Sequence, residues 1–442
     1  MKFTSTRSRL ISIDLGSALL AGLAADGGLY VPTDLPTFTP EDFDGDDSIA
    51  AIATRLLQPF FAGHPLAREL AAICDEAFDF PAPLKALPAE QTYLLELFHG
   101  PTAAFKDFGA RFLAACMRRL LESSEDPLTI LVATSGDTGA AVAAAFHGLP
   151  KLRVVVLYPD GRVSPRQAHQ LGCFGGNIRA LRVAGSFDDC QRLVKQALSD
   201  RDLQARIPLS SANSISLGRW LPQMSYYAHA SIAHWRRTGL PLNFVIPTGN
   251  LGNAMAAILA RACGLPIGEI ALATNANRVL PDFFAGSDYA PQPSVATLAN
   301  AMDVGAPSNF ERLRWLYPDA DGLRHAFTAR AIDDETIRAS LESGPTLHGE
   351  VFCPHTACAV RLLEELRSGG VSSDWAIVAT AHPAKFEQIV EPLIGRPIKP
   401  PEALAALLAR PSRSEPMAAD YAALVMALSS ENGPSDLTGT RN

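Results

Sequence analysis

The feature that most restricts this chain is a unit of buried strand, glycine-rich turn and helix, written in two separate places. Leu128 to Thr134 reads as a buried-strand run. Ser135-Gly-Asp-Thr-Gly139 turns it, Ala140 to Phe146 reads as a helix that Gly148 stops, and Leu152 to Tyr158 is the next strand. Asn243 to Pro247, the turn Thr248-Gly-Asn-Leu-Gly-Asn253 and the helical run Ala254 to Ala262 follow the same plan. A strand that is apolar on both faces must be covered on both, and a parallel connection needs a crossover helix. The expected fold class is therefore α/β, with open, twisted, mostly parallel sheets. Further strands are expected at Arg179 to Val183, Ile270 to Thr274 and Trp375 to Thr380. Ser186 is placed to cap a helix running to about residue 199, and Ser214 to Arg237 reads as one long helix.

A chain of 442 residues exceeds one ordinary core. Residues 1–92 contain a Gly-Gly turn within Asp26 to Pro32 and helical patterns near 47–60 and 65–76, but no cluster of chemical groups. They are expected to form a small leading domain that shapes or covers a site. Residues 93–230 and 231–428 are expected to be two α/β domains, and the polar segment 429–442 a disordered tail.

With 46 acidic and 38 basic residues the net charge is −8, so nothing points to a general nucleic-acid or membrane binder; any anionic ligand must be held locally. The start of the chain lacks the apolar core of a signal peptide and no run is long enough to span a bilayer, so a cytoplasmic protein is expected. Seven cysteines lie mostly within apolar patterns, as reduced buried thiols do. His348, Cys353, His355 and Cys358 cluster, but their spacing is not that of a usual zinc finger or ribbon, and no metal is assigned.

Ligands of open α/β sheets sit outside the carboxyl ends of the strands, where both turns lie. The turn at 248–253 opens a helix, so backbone N–H groups converge where a single phosphate fits; it lacks the lysine of a Walker loop. The turn at 134–139 adds hydroxyls and suits a smaller anion such as a carboxylate, with Ser135 or Thr138 as helix cap and Asp137 in the first turn. Asn213-Ser-Ile-Ser-Leu-Gly-Arg219 offers neutral donors and then one fixed charge able to grip a phosphate. Thr380 puts a hydroxyl at the end of a strand. Lys106 stands between Phe105 and Phe108 at the start of an apolar helix, where lost hydration favours the neutral amine needed for a Schiff base. Gly109 and Ala110 leave a small-residue face on which a flat ring can lie. Read alone, the same lysine is an ordinary one that snorkels to solvent.

Phe98-His-Gly-Pro-Thr-x-x-Phe-Lys-Asp-Phe108, Thr134-Ser-Gly-Asp-Thr-Gly-Ala140, Asn213-Ser-Ile-Ser, Pro247-Thr-Gly-Asn-x-Gly252, Ala299-Asn-Ala-Met-Asp303 and Thr380-Ala-His-Pro-Ala-Lys-Phe386 resemble, in this order, the motifs of the threonine synthase family. The resemblance runs from about residue 1 to 390. It implies a pyridoxal-phosphate enzyme of the tryptophan-synthase-β fold type (fold type II), with the cofactor between two α/β domains behind a small N-terminal one. By the family pattern Lys106 bonds the cofactor, Gly249, Asn250, Leu251, Gly252 and Asn253 cradle its phosphate, and Thr380 faces its pyridine nitrogen. Ser135, Asp137, Thr138, Asn213, Ser214 and Arg219 hold the substrate. The implied reaction turns O-phospho-L-homoserine and water into L-threonine and phosphate by γ-elimination and β-hydration, in a monomer or weak homodimer. Two positions depart from the pattern: Asn253 stands where many relatives have Asp, and Cys353-Pro-His355 replaces Glu-Pro-His. The rival readings are a phospholyase or dehydratase on the same scaffold, and a ligand-binding module that uses the phosphate loops without a Schiff base.

Overall fold

The computed structural model describes residues 1–430, so the expected tail lies, apart from its first two residues, outside the described residues. The chain begins with β1 (Phe3–Ser5) and β2 (Tyr30–Pro32), an antiparallel pair. The helix Ile49–Phe61 follows, capped by the hydroxyl of Ser48, and then a short turn and the helix Leu70–Ala77. The remaining strands are β3 (Leu84–Ala86), β4 (Thr92–Glu96), β5 (Leu128–Ala133), β6 (Leu152–Pro159), β7 (Ile178–Ala184), β8 (Leu209–Ser211), β9 (Leu242–Pro247), β10 (Ile267–Thr274), β11 (Thr328–Ala331), β12 (Trp375–Ala379) and β13 (Glu415–Ala418).

They form two sheets. One has the order β11-β10-β9-β12-β4-β3 and is parallel except at its β3 edge; the other has the order β13-β7-β6-β5-β8 and is parallel throughout. The two-sided burial read from the sequence is visible at β5 and β6. Ile130, Val132, Val154 and Val156 pack into one core with the helix Asp137–Phe146, while Leu131, Ala133, Val155 and Leu157 pack into another with the helix Phe187–Ser199.

Strand pairing cuts across the expected boundaries at 92/93 and 230/231. β4, which leads into Lys106, pairs with β12 and so belongs to the six-stranded sheet, and β13 crosses the other way to pair with β7. Apolar patterning says that a strand is buried but not which partner it finds. The long helix expected over Ser214 to Arg237 is interrupted: Leu217–Trp220, a 3-10 turn at Leu221–Gln223, then Met224–Thr238. Pro222 has no N–H with which to continue the ladder.

Candidate active site

A cleft with about 1150 Å³ of empty volume opens at the carboxyl ends of β4, β5, β9 and β12, between the two sheets. Every residue expected at the site lines it except Leu251, which is buried beneath the turn. No residue before Phe105 lines it.

Lys106 is the first residue of the helix Lys106–Leu120. The loop before it is locked, since the backbone N–H and hydroxyl of Thr102 donate to the buried carboxylate of Asp107 at 2.9 and 2.7 Å, and the N–H of Phe105 donates to the carbonyl of Thr380 at 2.8 Å. The Lys106 amine lies 4.5 Å from the centre of the Phe105 ring. Burial pulls its pKa down to about 8; Asp137 opposes this, while Arg219 and Lys385 reinforce it. The flat-ring expectation at Gly109 does not hold. A Cβ there would stand 2.6 Å from the carbonyl oxygen of Arg219, so the glycine serves helix-to-helix approach.

The turn after β9 is held by neutral groups. Leu251 takes the left-handed conformation at φ 61°. The Asn250 side chain donates to the hydroxyl of Ser214 and accepts from the N–H of Ser308, and Asn309 donates to the Asn250 carbonyl at 2.9 Å. Asn253 accepts from the Thr248 hydroxyl at 2.8 Å and donates to the carbonyl of Pro247 at 3.0 Å, so its side chain braces the turn. The backbone N–H groups from Gly249 to Asn253 are left without a partner among the described residues, at the start of the helix Gly252–Ala262.

The turn after β5 is built differently. Thr134, and not Ser135 or Thr138, closes it: its hydroxyl accepts from the N–H groups of both Gly136 and Gly139 at 2.9 Å. Gly136 has φ 130°, which a side chain would rarely adopt. The hydroxyls of Ser135 and Thr138 therefore stay free for the cleft. Asp137 is committed to the protein, because its buried carboxylate accepts from the Lys385 ammonium at 3.0 Å and from Gln167 at 2.9 Å. Burial alone would raise its pKa, but Lys385, Lys106 and His355 hold it well below the usual carboxylate range. Asn213 lines the cleft, and its side-chain amide also clasps Ala133, accepting from the Ala133 N–H and donating to the Ala133 carbonyl, which fixes the end of β5.

Arg219 is only 2% exposed, which removes the reading of a solvated helix charge. It donates to the carbonyl of Ala212, its Nε is unpartnered, and it has no carboxylate in ion-pair range among the described residues. Burial draws its pKa down to about 10, against the pull of Asp107. A buried cation facing a cleft without a counter-ion is a place for an anion. Thr380 lines the same cleft.

Of the His/Cys cluster, Cys353 and His355 come together, with Sγ 3.8 Å from Nδ1, and the other two members are engaged elsewhere. His348 pairs with Glu364 at 3.1 Å, Cys353 caps the helix Pro354–Ser368, and Cys358 is buried in the core. Among the described residues no group of His, Cys, Asp and Glu is arranged to hold a metal. His355 lines the cleft and accepts from the N–H of Ala301 at 3.0 Å; burial pulls its pKa to about 4, so it is a neutral acceptor.

Three groups escaped the sequence reading. Lys385, inside a motif quoted for its threonine, is fully buried between Asp137 and the carbonyl of Thr102, which it meets at 2.7 Å. Gln167 joins Asp137 to Asn300. Arg312, also fully buried, stacks on Trp220 at 4.3 Å and donates to the carbonyls of Tyr30, Ser214 and Ile215, so the leading domain reaches the site through it. Nothing in the local sequence distinguishes Arg312 from an amphipathic-helix arginine.

Comparison with known proteins finds matches along residues 2–427. Three family models match in order: threonine synthase N terminus over residues 2–78, pyridoxal-phosphate dependent enzyme over 78–383, and threonine synthase, C-terminal, over 356–427. The threonine synthases of Serratia marcescens and Escherichia coli (strain K12) are each 38% identical across 96% of this chain and 98% of their own. The crystal structure of threonine synthase from Escherichia coli superposes with a TM-score of 0.90 at 37% identity, over 97% of this chain and 99% of that one. The PLP-bound threonine synthase from Brucella melitensis does so with a TM-score of 0.86 at 32% identity, over 97% and 98%. This chain belongs to the threonine synthase family of pyridoxal-phosphate-dependent enzymes.

Proposed function

We propose that this cleft converts O-phospho-L-homoserine and water to L-threonine and phosphate, using pyridoxal 5'-phosphate. The observation that carries the reading is that one cleft joins a desolvated amine, two turns with free backbone N–H groups and one buried arginine without a counter-ion. The amine suits the cofactor aldehyde. The three anion places match the three anions of the reaction: cofactor phosphate, substrate carboxylate and substrate phosphate.

The residues present fit the cofactor. The turn Gly249–Asn253 has no acidic side chain, is pre-shaped by its asparagines and offers its N–H groups at a helix N-terminus. Thr380 is assigned to the pyridine nitrogen, as the family pattern implies. When bound, pyridoxal phosphate supplies the electron sink that makes the substrate Cα–H and Cβ–H bonds labile. Lys106, neutral over more of the physiological range than an ordinary lysine, takes the proton from Cα and relays protons at Cβ and Cγ. Ser135, Thr138 and the free amides beside them hold the carboxylate. Arg219 meets the charge that develops on the departing phosphate, in a site where a guanidinium has no competing acid. Asn213 and Ser214 hold the turns in register.

Incubating the protein with O-phospho-L-homoserine tests this directly. Threonine and phosphate in equal amounts are expected. 2-Oxobutyrate in place of threonine makes the protein a phospholyase, and no turnover with a retained phosphate ligand makes it a binding module. The reading also carries a small-molecule substrate, no nucleic-acid or membrane partner, a cytoplasmic location and a monomer or weak homodimer, which fractionation and sedimentation can measure.

A further inference from the structure

Lys385 is a fully buried charge for which the proposed reaction has no use. It lies in the turn Pro383–Phe386 that follows β12 of the six-stranded sheet. Its ammonium reaches the carboxylate of Asp137, on the helix that follows β5 of the five-stranded sheet, at 3.0 Å, and the carbonyl of Thr102, in the loop leading to Lys106, at 2.7 Å. It therefore ties three pieces of cleft wall from two sheets. We propose that Lys385 is a positioning residue for the amine of Lys106: by pairing with Asp137 it masks the carboxylate that faces that amine and keeps the cleft receptive to anions.

Lys106 lines the cleft together with Asp137, with Arg219 from the helix Leu217–Trp220 and with His355 at the start of the helix Pro354–Ser368, and it also feels Lys385 and Cys353. His355 is neutral as described above, and the Cys353 thiol is pushed up by burial, so the charges that act on the amine are Asp137 against Lys385 and Arg219. With Lys385 present, Asp137 is half of a neutral pair. Without it, a bare buried carboxylate would hold Lys106 protonated and repel both anionic ends of the substrate. Gln167 bonds Asp137 as well, but as a neutral donor it leaves the charge in place.

The proposal rests on Lys106 being the reacting amine, and the experiment separates the two ideas by including Lys106→Ala. The cofactor-loaded enzyme is compared with Lys385→Met, Asp137→Asn, the double variant Asp137→Asn/Lys385→Met, and Lys385→Arg. Two pH titrations are read: the acid limb of kcat with O-phospho-L-homoserine, and the visible absorbance of the bound cofactor without substrate. Lys385→Met should move both midpoints up by about one pH unit and raise KM, Asp137→Asn should move both down, the double variant should return close to wild type, and Lys385→Arg should recover most of the loss. Should Lys385→Met fail to fold, the downward shift in Asp137→Asn and its cancellation in the double variant still decide the matter. A merely structural strut would give impaired variants whose midpoints stay put or shift in the same direction, and either result overturns the proposal. Full turnover in Lys106→Ala would instead overturn the assignment of the amine.

Discussion

The two sheets divide the labour of the cleft. The six-stranded side presents Lys106 after β4, the Gly249–Asn253 turn after β9 and Thr380 after β12, all assigned to the cofactor. The five-stranded side presents Ser135 and Thr138 after β5 and Arg219 beyond β8, all assigned to the substrate. Their chemistry differs accordingly. The cofactor turn carries no charged side chain and is braced by asparagines, whereas the substrate side holds a buried unpaired arginine and a neutralised aspartate. A resident group can be held by fixed neutral dipoles, while a phosphate that must arrive and leave is better met by a charge that acts as it develops.

The division predicts which measurement each substitution moves. Lys106→Ala should abolish turnover and the lysine-linked chromophore while circular dichroism stays native, the largest effect expected; normal turnover would end the reading of the six-stranded side. Arg219→Ala should cost on the order of 2–4 kcal/mol of transition-state stabilisation in kcat/KM with cofactor content unchanged, and Arg219→Lys should recover only part of it. Loss of cofactor in Arg219→Ala would erase the proposed division. Gly252→Val should do the converse. A Cβ there meets the Ser214 side chain at 3.3 Å, a tight contact that Ser214 must yield to, and the branched side chain enters the phosphate cradle; circular dichroism of the variant checks that the fold survives. Titration with pyridoxal phosphate should show affinity weaker by roughly tenfold or more, as follows from losing even one charged hydrogen bond.

Activity should rise with pH through about 8, because burial has drawn the Lys106 amine down to that value and only its neutral form accepts a proton. Arg219 contributes to that lowering, so Arg219→Ala should also move the acid limb upward, a coupling between the two sides measurable in one pH series. The smallest effect concerns the departure at Asn253. Asn253→Asp removes the donor to the Pro247 carbonyl and should cost about 1–3 kcal/mol of stability, read by denaturant unfolding of the loaded enzyme. An unchanged midpoint would show that the brace is dispensable and that only the backbone matters in this turn.

The sequence by itself determined the α/β class, the strand runs, the two glycine-rich turns and the motifs that carry the family resemblance. These are local: apolar runs, turn residues and capping chemistry act within a few positions and are visible in a one-dimensional string. Tertiary structure alone decided what depends on partners distant in the chain. It set β4 beside β12 and β13 beside β7, closing each sheet with strands from outside its own segment. It buried Arg219 without an acid, gave Asn213 a clasp on Ala133, and paired Asp137 with Lys385. Whether a charge is solvated, paired or left bare depends on which side chains fold against it, and desolvation and Coulomb energy between residues 137 and 385 have no trace in the sequence around either.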